Sequence, residues 1–153
     1  MHIYFDLDGT IVDEKGERVR PGLCTLFEML IDDGHQLSLW TASTEERARQ
    51  LLDEHGLTRY FQHTVFREDY DPLCEGYSKD IRYQDGDLLI DDDLDQIAYV
   101  HSIGKHGHCI RPYHTDVIRS WTDDSLEIYD EVSKISKKLS VNAKKTLSKK
   151  TPC

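Results

Sequence analysis

The chain has 153 residues, of which 38% are hydrophobic and 31% charged, and its formal net charge at pH 7 is −10. This composition predicts one globular domain with its own core and excludes a disordered chain. No apolar run approaches the roughly 20 residues that span a bilayer, and no charged-then-apolar leader opens the chain, so we expect no membrane contact.

The charge is unevenly distributed. Residues 133–153 contain seven lysines and no acid, so the first 132 residues carry 12 basic and 29 acidic side chains. An acidic body repels polyanions unless cations bind it. We expect a lysine-rich tail at 141–153, solvated or in weak contact with a polyanion. The four cysteines form no C-x-x-C pair, which favours reduced thiols and a cytoplasmic protein.

Strands and helices are predicted to alternate along the chain. The segment 11–20, which follows the first strand, predicts a small hairpin or flap, and Ser43 or Thr44 is expected to cap the second helix. A stripe of Leu126, Tyr129, Val132, Ile135 and Leu139 predicts the last helix. Strands are expected at 2–5, 36–40, 63–66, 87–90 and 108–110, and helices begin near Pro21, Thr44, Leu94 and Leu126.

This alternation predicts an α/β fold, a Rossmann-like parallel sheet of about five strands with helices on both faces, in a domain of residues 1–140. Ligands of such sheets collect outside the carboxyl ends of the strands. Asp6, Thr41 and Asp91 each follow or end a predicted strand. We therefore expect these three polar side chains to meet at one edge of the sheet.

The residue types at this edge suit phosphoryl transfer. Asp6 has the position of a nucleophile that attacks phosphorus and forms an aspartyl-phosphate. Asp8 lies two residues further on and suits a general acid that later activates water, with the Thr10 hydroxyl expected to orient it. Thr41 and Lys79 are expected to bind the phosphoryl group, and Thr10 and Ala42 to orient the substrate.

Clustered carboxylates also predict a cation. Asp6, Asp91 and Asp92 supply only oxygen ligands, which favour Mg²⁺ as cofactor. By contrast, the four histidines at 101–114 with Cys109 lack the spacing of a zinc site, and surface histidines beside a small buried thiol are favoured. Trp40, Tyr70, Tyr77 and Arg67 either border the substrate or pack in the core or at its rim.

The ordered set of Asp6-Leu7-Asp8-Gly9-Thr10, Thr41 in "SLWTAS", Lys79 in "GYSKDI" and Asp91-Asp92 in "LLIDDD" resembles the haloacid dehalogenase superfamily of phosphohydrolases. The resemblance implies that Asp6 is the nucleophile, that Asp8 is the acid/base and adds its main-chain carbonyl to the Mg²⁺ ligands, and that Asp92 binds the ion with support from Asp91. A two-component receiver domain has similar residues, but its lysine comes last, whereas Lys79 here precedes the second acidic pair.

A closer resemblance covers roughly residues 3–135. "RPGLCTLFEML…LSLWTAS", "VFREDYDPLCEGYSKDI…LLIDDD" and "RSWTDDSLEIYDEV" look like the NLI-interacting-factor type of phosphatase, which acts on the C-terminal domain of RNA polymerase II. Motif I reads D-L-D-G-T here, where those enzymes usually have D-L-D-E-T. Ten residues separate Thr10 from Pro21, where the eukaryotic enzymes have a longer segment that helps hold the peptide.

The gaps between the motifs are filled by core elements, so no cap domain is expected. An uncapped site in this family goes with macromolecular substrates or with oligomers that cover one another. We expect a macromolecular phosphomonoester, preferably a phosphoprotein. The alternatives are a polynucleotide 3′-phosphatase, a small-molecule phosphatase, or a binding module that holds phosphate or metal without turnover.

Overall fold

A computed structural model describes residues 1–114 and 122–148, and its centre is the predicted five-stranded parallel sheet. The spatial order of the strands is β3-β2-β1-β4-β5, and every pair of neighbours is parallel. The strands are β1 (His2–Phe5), β2 (Gln36–Trp40), β3 (His63–Val65), β4 (Leu88–Asp91) and β5 (His106–Cys109).

In the described part of the chain, five α-helices connect or follow the strands, and two short 3₁₀ turns occupy Thr58–Tyr60 and Ile81–Gln84. The helices are α1 (Leu23–Asp32), α2 (Glu45–Glu54), α3 (Arg67–Tyr70), α4 (Leu94–Ser102) and α5 (Thr122–Ser148). Thr44 caps α2, as one of the two predicted candidates, and Asp93 caps α4. No helix among the described residues combines the length and apolarity that a membrane crossing requires.

The chain reverses direction across the sheet at β1. It first moves outward through β2 to β3, and then returns to the other side of β1 for β4 and β5. The carboxyl ends of the three central strands therefore border the crevice where ligands of such folds bind. Asp6, Thr41 and Asp91 lie at these three ends, as the strand pattern predicts.

Both faces of the sheet are covered, which is why its central strands are apolar on both sides. Ile3 and Phe5 of β1 pack into one core with α1, α2 and α5. Tyr4 faces the opposite core, where it meets Trp40 of β2 and Ile97 of α4. Full burial of β1 on two sides fixes the position of the acids that follow it.

Two predictions about the sides of this sheet need correction. The fifth strand begins at His106 rather than at residue 108, because His106 pairs with Leu88 although "HGHC" carries no apolar alternation. In α5, Leu126 is 57% exposed and Ile128 is buried in its place. Ile128, Val132 and Ile135 keep the spacing of four and three residues that one helix face requires.

The predicted flap at 11–20 is a short hairpin in which Val12 pairs antiparallel with Val19. The Asp13 N–H donates to the Arg18 carbonyl at 3.0 Å, which closes the hairpin beside the loop that follows β1. At the other end of the chain, α5 is continuous from Thr122 to Ser148 and so passes residue 140. The division into a domain at 1–140 and a tail at 141–153 stays a prediction, and residues 149–153 lie outside the described part.

Candidate active site

Four segments that are distant in sequence meet at the carboxyl edge of the sheet. Lys79, from the loop before β4, donates through Nζ to Asp6 Oδ1 at 2.5 Å and to Asp91 Oδ2 at 2.7 Å. Asp6 is 6% exposed, Lys79 3%, Asp91 1% and Thr41 1%, so the group is inside the protein. The structure thus brings three side chains from strand ends and one lysine from a loop together at this edge of the sheet.

Three carboxylates share this small volume. Asp6, Asp91 and Asp92 each offer an oxygen, and the three oxygens lie within 4.8 Å of one another. Among the residues that the structure describes, no other three His, Cys, Asp or Glu side chains are so grouped. The three carboxyl groups face the single ammonium of Lys79, so the acids outnumber the cation in this group.

The environment acts on the ionisation of these groups in opposite directions. Burial raises the pKa of the Asp6 carboxyl, although the adjacent Lys79 ammonium pulls it down. Burial opposes the charge of Lys79, but Asp6 and Asp91 attract the ammonium and hold its pKa above the ordinary value. Burial, followed by repulsion from Asp91, raises the pKa of Asp92. A cation close to these carboxylates would stabilise their charged forms.

Thr41 and Ala42 occupy the turn between β2 and α2. Thr41 Oγ1 accepts the Ser43 N–H at 3.0 Å, and its hydroxyl proton remains to be donated. Ala42 is exposed and lines the same cavity. Both residues therefore border the space in which a phosphoryl group would lie.

The Thr10 hydroxyl does not contact Asp8, contrary to expectation. Thr10 Oγ1 donates to Asp92 Oδ1 at 3.2 Å, which orients the third carboxylate of the cluster. The preceding residue explains this contact, because Gly9 has a φ of +79° and packs directly against Asp92. A Cβ at position 9 would lie 2.4 Å from Asp92 Oδ2, so only glycine fits here without displacing that carboxylate.

Asp8 is held away from the buried acids by a residue that the sequence did not single out. Arg47, on the first turn of α2, donates to both Asp8 oxygens at 2.8 and 2.6 Å. The same guanidinium donates to Ser43 Oγ at 2.9 Å. The only sequence signal for Arg47 is its place one helical turn after Ser43, and a long flexible side chain on an exposed helix carries little information about its partner.

Arg20 is the second residue that the sequence analysis missed. It is 3% exposed, and its guanidinium donates to the carbonyls of Thr10 at 2.7 Å, Gly9 at 2.8 Å and Arg111 at 2.7 Å. A fourth bond, at 2.7 Å, joins it to the Asp124 carboxylate of α5. Arg20 thereby fixes the backbone of the loop that carries Asp8 and Thr10.

The site opens into a cavity of about 620 Å³. Its walls include Asp6, Asp8, Thr41, Arg47 and Lys79. The acids lie at its base, whereas the side chains of Asp8 and Arg47 are 35% and 40% exposed. A phosphate monoester could therefore approach Asp6 from solvent with two cationic side chains beside it.

Comparison with solved structures supports the fold. The chain is 13% identical to a Thermotoga maritima protein assigned as a beta-phosphoglucomutase, with a TM-score of 0.59 over 81% of this chain and 90% of that chain. A HAD-superfamily hydrolase from Ehrlichia chaffeensis is 12% identical, with a TM-score of 0.58 over 87% and 96%. A chain of a Pnkp1/Rnl/Hen1 complex is 14% identical, with a TM-score of 0.54 over 75% and 46%.

Sequence comparison supports a narrower assignment. No curated protein matches the chain significantly. The family model for NLI interacting factor-like phosphatases, however, matches residues 1–146, which is nearly the whole sequence. Because that match extends over every strand and over the whole edge where the acids, Thr41 and Lys79 meet, the chain belongs to the NLI interacting factor-like phosphatases of the haloacid dehalogenase superfamily.

Proposed function

We propose that this phosphatase hydrolyses a phosphomonoester on a protein, that it depends on Mg²⁺, and that Asp6 carries the phosphoryl group as an aspartyl-phosphate. The observation that carries the proposal is the position of Asp6. Its carboxylate is bound by Lys79, grouped with two further acids, and placed at the base of an open cavity. This combination suits a nucleophile that must attack a dianion.

The donor set fits a magnesium ion. Three carboxylate oxygens within 4.8 Å of one another match the hard oxygen ligands that this ion prefers. Asp6, Asp91 and Asp92 would hold it, and the main-chain carbonyl of Asp8 is proposed as a further ligand. When bound, the ion supplies positive charge that offsets the acids and polarises the phosphoryl oxygens.

In the proposed reaction, an Asp6 carboxylate oxygen attacks phosphorus and the bond from phosphorus to the leaving oxygen breaks. Lys79 and the Thr41 hydroxyl stabilise the negative charge on the phosphoryl oxygens. Asp8 gives its proton to the leaving oxygen, which departs as an alcohol. Asp8 then takes a proton from water as that water attacks the phosphorus of the acyl phosphate, and inorganic phosphate and the Asp6 carboxylate are regenerated.

Asp8 has to change partner for this chemistry. A carboxylate in a bidentate ion pair with Arg47 accepts hydrogen bonds and has no proton to donate. Both side chains are partly exposed, so solvent weakens their pairing and a bound phosphate dianion would compete for the guanidinium. We infer that substrate binding frees Asp8 from Arg47, so that Asp8 takes up a proton from solvent and turns toward the leaving group.

The openness of the cavity supports a macromolecular substrate. The segments between the motif residues build elements that cover or extend the sheet, and the 11–20 hairpin and the loop from Tyr70 to Tyr77 border the cavity as short segments. A small metabolite would leave much of such a site exposed to water. A phosphorylated side chain on a protein surface can reach Asp6 and cover the mouth at the same time.

The test measures phosphate release from a phosphopeptide and from p-nitrophenyl phosphate, with Mg²⁺ and after chelation. Wild type should turn over in Mg²⁺ only, and acid quenching with radiolabelled substrate should trap label on the protein. Asp6→Asn should lose turnover and trapped label by at least about a thousandfold, while Asp32→Asn, a change in an exposed acid of α1, should keep both. Full turnover in Asp6→Asn, or activity indifferent to chelation, would reject the mechanism.

A further inference from the structure

A second cavity, of about 840 Å³, lies beside the active site. It shares Tyr70, Gly76 and Tyr77 with the walls of the catalytic cavity, so the two cavities adjoin. Five aromatic side chains line it, namely Trp40, Tyr70, Tyr77, Tyr83 and Tyr99. We call it the aromatic cavity.

The base of the aromatic cavity is rigid and its rim is exposed. Trp40 is 2% exposed and makes edge contacts with Tyr4 and Tyr70, each with ring centroids 5.5 Å apart. At the rim, Tyr77 is 57% exposed and Tyr83 is 85% exposed. Aromatic rings left in water beside a concave surface mark a binding site more often than scattered apolar residues do.

The charges around this cavity discriminate between classes of ligand. Among the described residues that line it, Asp69 and Asp80 are ionisable acids and none is a lysine, arginine or histidine. Both acids already have partners, because Asp69 accepts the Phe66 N–H and Asp80 accepts two bonds from Arg82. A polynucleotide would bring phosphates against these acids, and the carboxylate of Asp80 is already neutralised by Arg82.

We propose that the aromatic cavity binds a large apolar side chain of the protein substrate, one that flanks the phosphorylated residue, while the phosphate occupies the neighbouring catalytic cavity. The proposal rests on the proposed function and specifies its substrate class. Because the two cavities share Tyr70, Gly76 and Tyr77 as a common border, one peptide that crosses this border can place neighbouring side chains in both. The pocket would therefore select phosphoproteins by sequence, although the active site itself contacts only the phosphoryl group.

The test compares two phosphopeptides that differ only beside the phosphorylated residue, one with phenylalanine at the flanking positions and one with glycine there. In wild type, kcat/KM should be about tenfold or more higher for the phenylalanine peptide, since a large apolar side chain leaves water. Tyr83→Ala should reduce this preference about three- to fivefold through loss of a ring contact, with turnover of the glycine peptide unchanged.

Two further variants make the outcome decisive. Thr64 lines the aromatic cavity and no part of the catalytic cavity, so Thr64→Trp should fill the pocket and abolish the preference. Leu73→Ala removes a large apolar side chain that is 76% exposed and lies outside both cavities, and this variant should keep the preference for the phenylalanine peptide. Equal rates for the two peptides in wild type, or an equal loss for both in Tyr83→Ala, would overturn the inference. No turnover of either peptide would instead reject the proposed function.

Discussion

At the scale of single residues, the ion pair between Arg47 and Asp8 is the contact that must open in the proposed reaction. Arg47 lines the catalytic cavity and is the second cation there after Lys79. Its pKa lies above the ordinary value because Asp8 accepts its hydrogen bonds. A phosphate dianion offers the same guanidinium a stronger anionic partner.

We therefore predict that Arg47→Ala raises KM for a phosphopeptide about three- to tenfold, as expected for a lost charge-assisted contact to phosphate, and leaves kcat within about threefold. Arg47→Lys should recover part of the loss in KM. Arg49→Ala changes a neighbouring arginine whose ion pair with Glu45 faces solvent, and it should behave like wild type. A large fall in kcat with constant KM in Arg47→Ala would contradict a role in phosphate binding.

The glycine at position 9, where the motif usually has glutamate, is required by the close packing of this site. The phosphatases that the chain resembles usually carry glutamate there, whereas here a Cβ would overlap the Asp92 carboxylate. The same close approach lets Thr10 hydrogen-bond to Asp92. The glycine thus positions an acid of the proposed magnesium site, a consequence that its motif letter alone does not reveal.

At the scale of elements, Arg20 joins three segments that the sheet alone would leave independent. Its four hydrogen bonds tie the hairpin to the loop after β1, to the chain after β5, and to α5. Burial lowers the pKa of Arg20, but the Asp124 carboxylate opposes that shift. A buried guanidinium with every side bonded is costly to remove, because its partners remain in place without a donor.

Arg20→Met should therefore lower the free energy of unfolding by about 2–4 kcal/mol. Arg49→Met removes the exposed ion pair between Arg49 and Glu45 on successive turns of α2. This change should lower the free energy of unfolding by less than about 1 kcal/mol. Urea denaturation followed by circular dichroism measures both. Equal values for the two variants would show that the bonds of Arg20 contribute no more than a surface ion pair.

The sequence predicted which residues lie at the strand ends, but it did not predict which partners the long arginine side chains contact. Asp6, Thr41 and Asp91 directly follow or end apolar runs, and parallel strands leave no freedom about which edge they share. Arg20 and Arg47 depend on the path of a hairpin and on side-chain torsions that no periodicity encodes. Trp40, Tyr70 and Tyr77 were expected either to border the substrate or to pack in the core or at its rim, and all three line the aromatic cavity. No pattern in the sequence marked Tyr83, which lies in the 3₁₀ turn Ile81–Gln84.

At the scale of the whole molecule, the acidic charge of the chain is concentrated at the site as well as spread over the surface. Asp6, Asp91 and Asp92 repel one another in the folded protein, and unfolding separates them. A bound divalent cation should therefore stabilise the native state, by about 2.7 kcal/mol when its concentration is a hundred times Kd.

We predict that millimolar Mg²⁺ raises the Tm of wild type and that Asp92→Asn loses most of this increase. Asp93→Asn removes the charge of the adjacent exposed acid, which is outside the cluster of three. This variant should show the same rise in Tm with Mg²⁺ as wild type. Differential scanning calorimetry with and without Mg²⁺ gives the comparison without reference to turnover. The same rise in Tm for Asp92→Asn and wild type would exclude Asp92 as a ligand.

The bond between Arg20 and Asp124 has a consequence for when the enzyme matures. It connects the loop after the first strand with a helix that begins 102 residues after Arg20, at Thr122. A chain still emerging from the ribosome would contain Asp6 early but would lack this anchor until Asp124 had been made. Newly made protein should thus acquire catalytic competence late, when the final helix docks and not when the sheet first assembles.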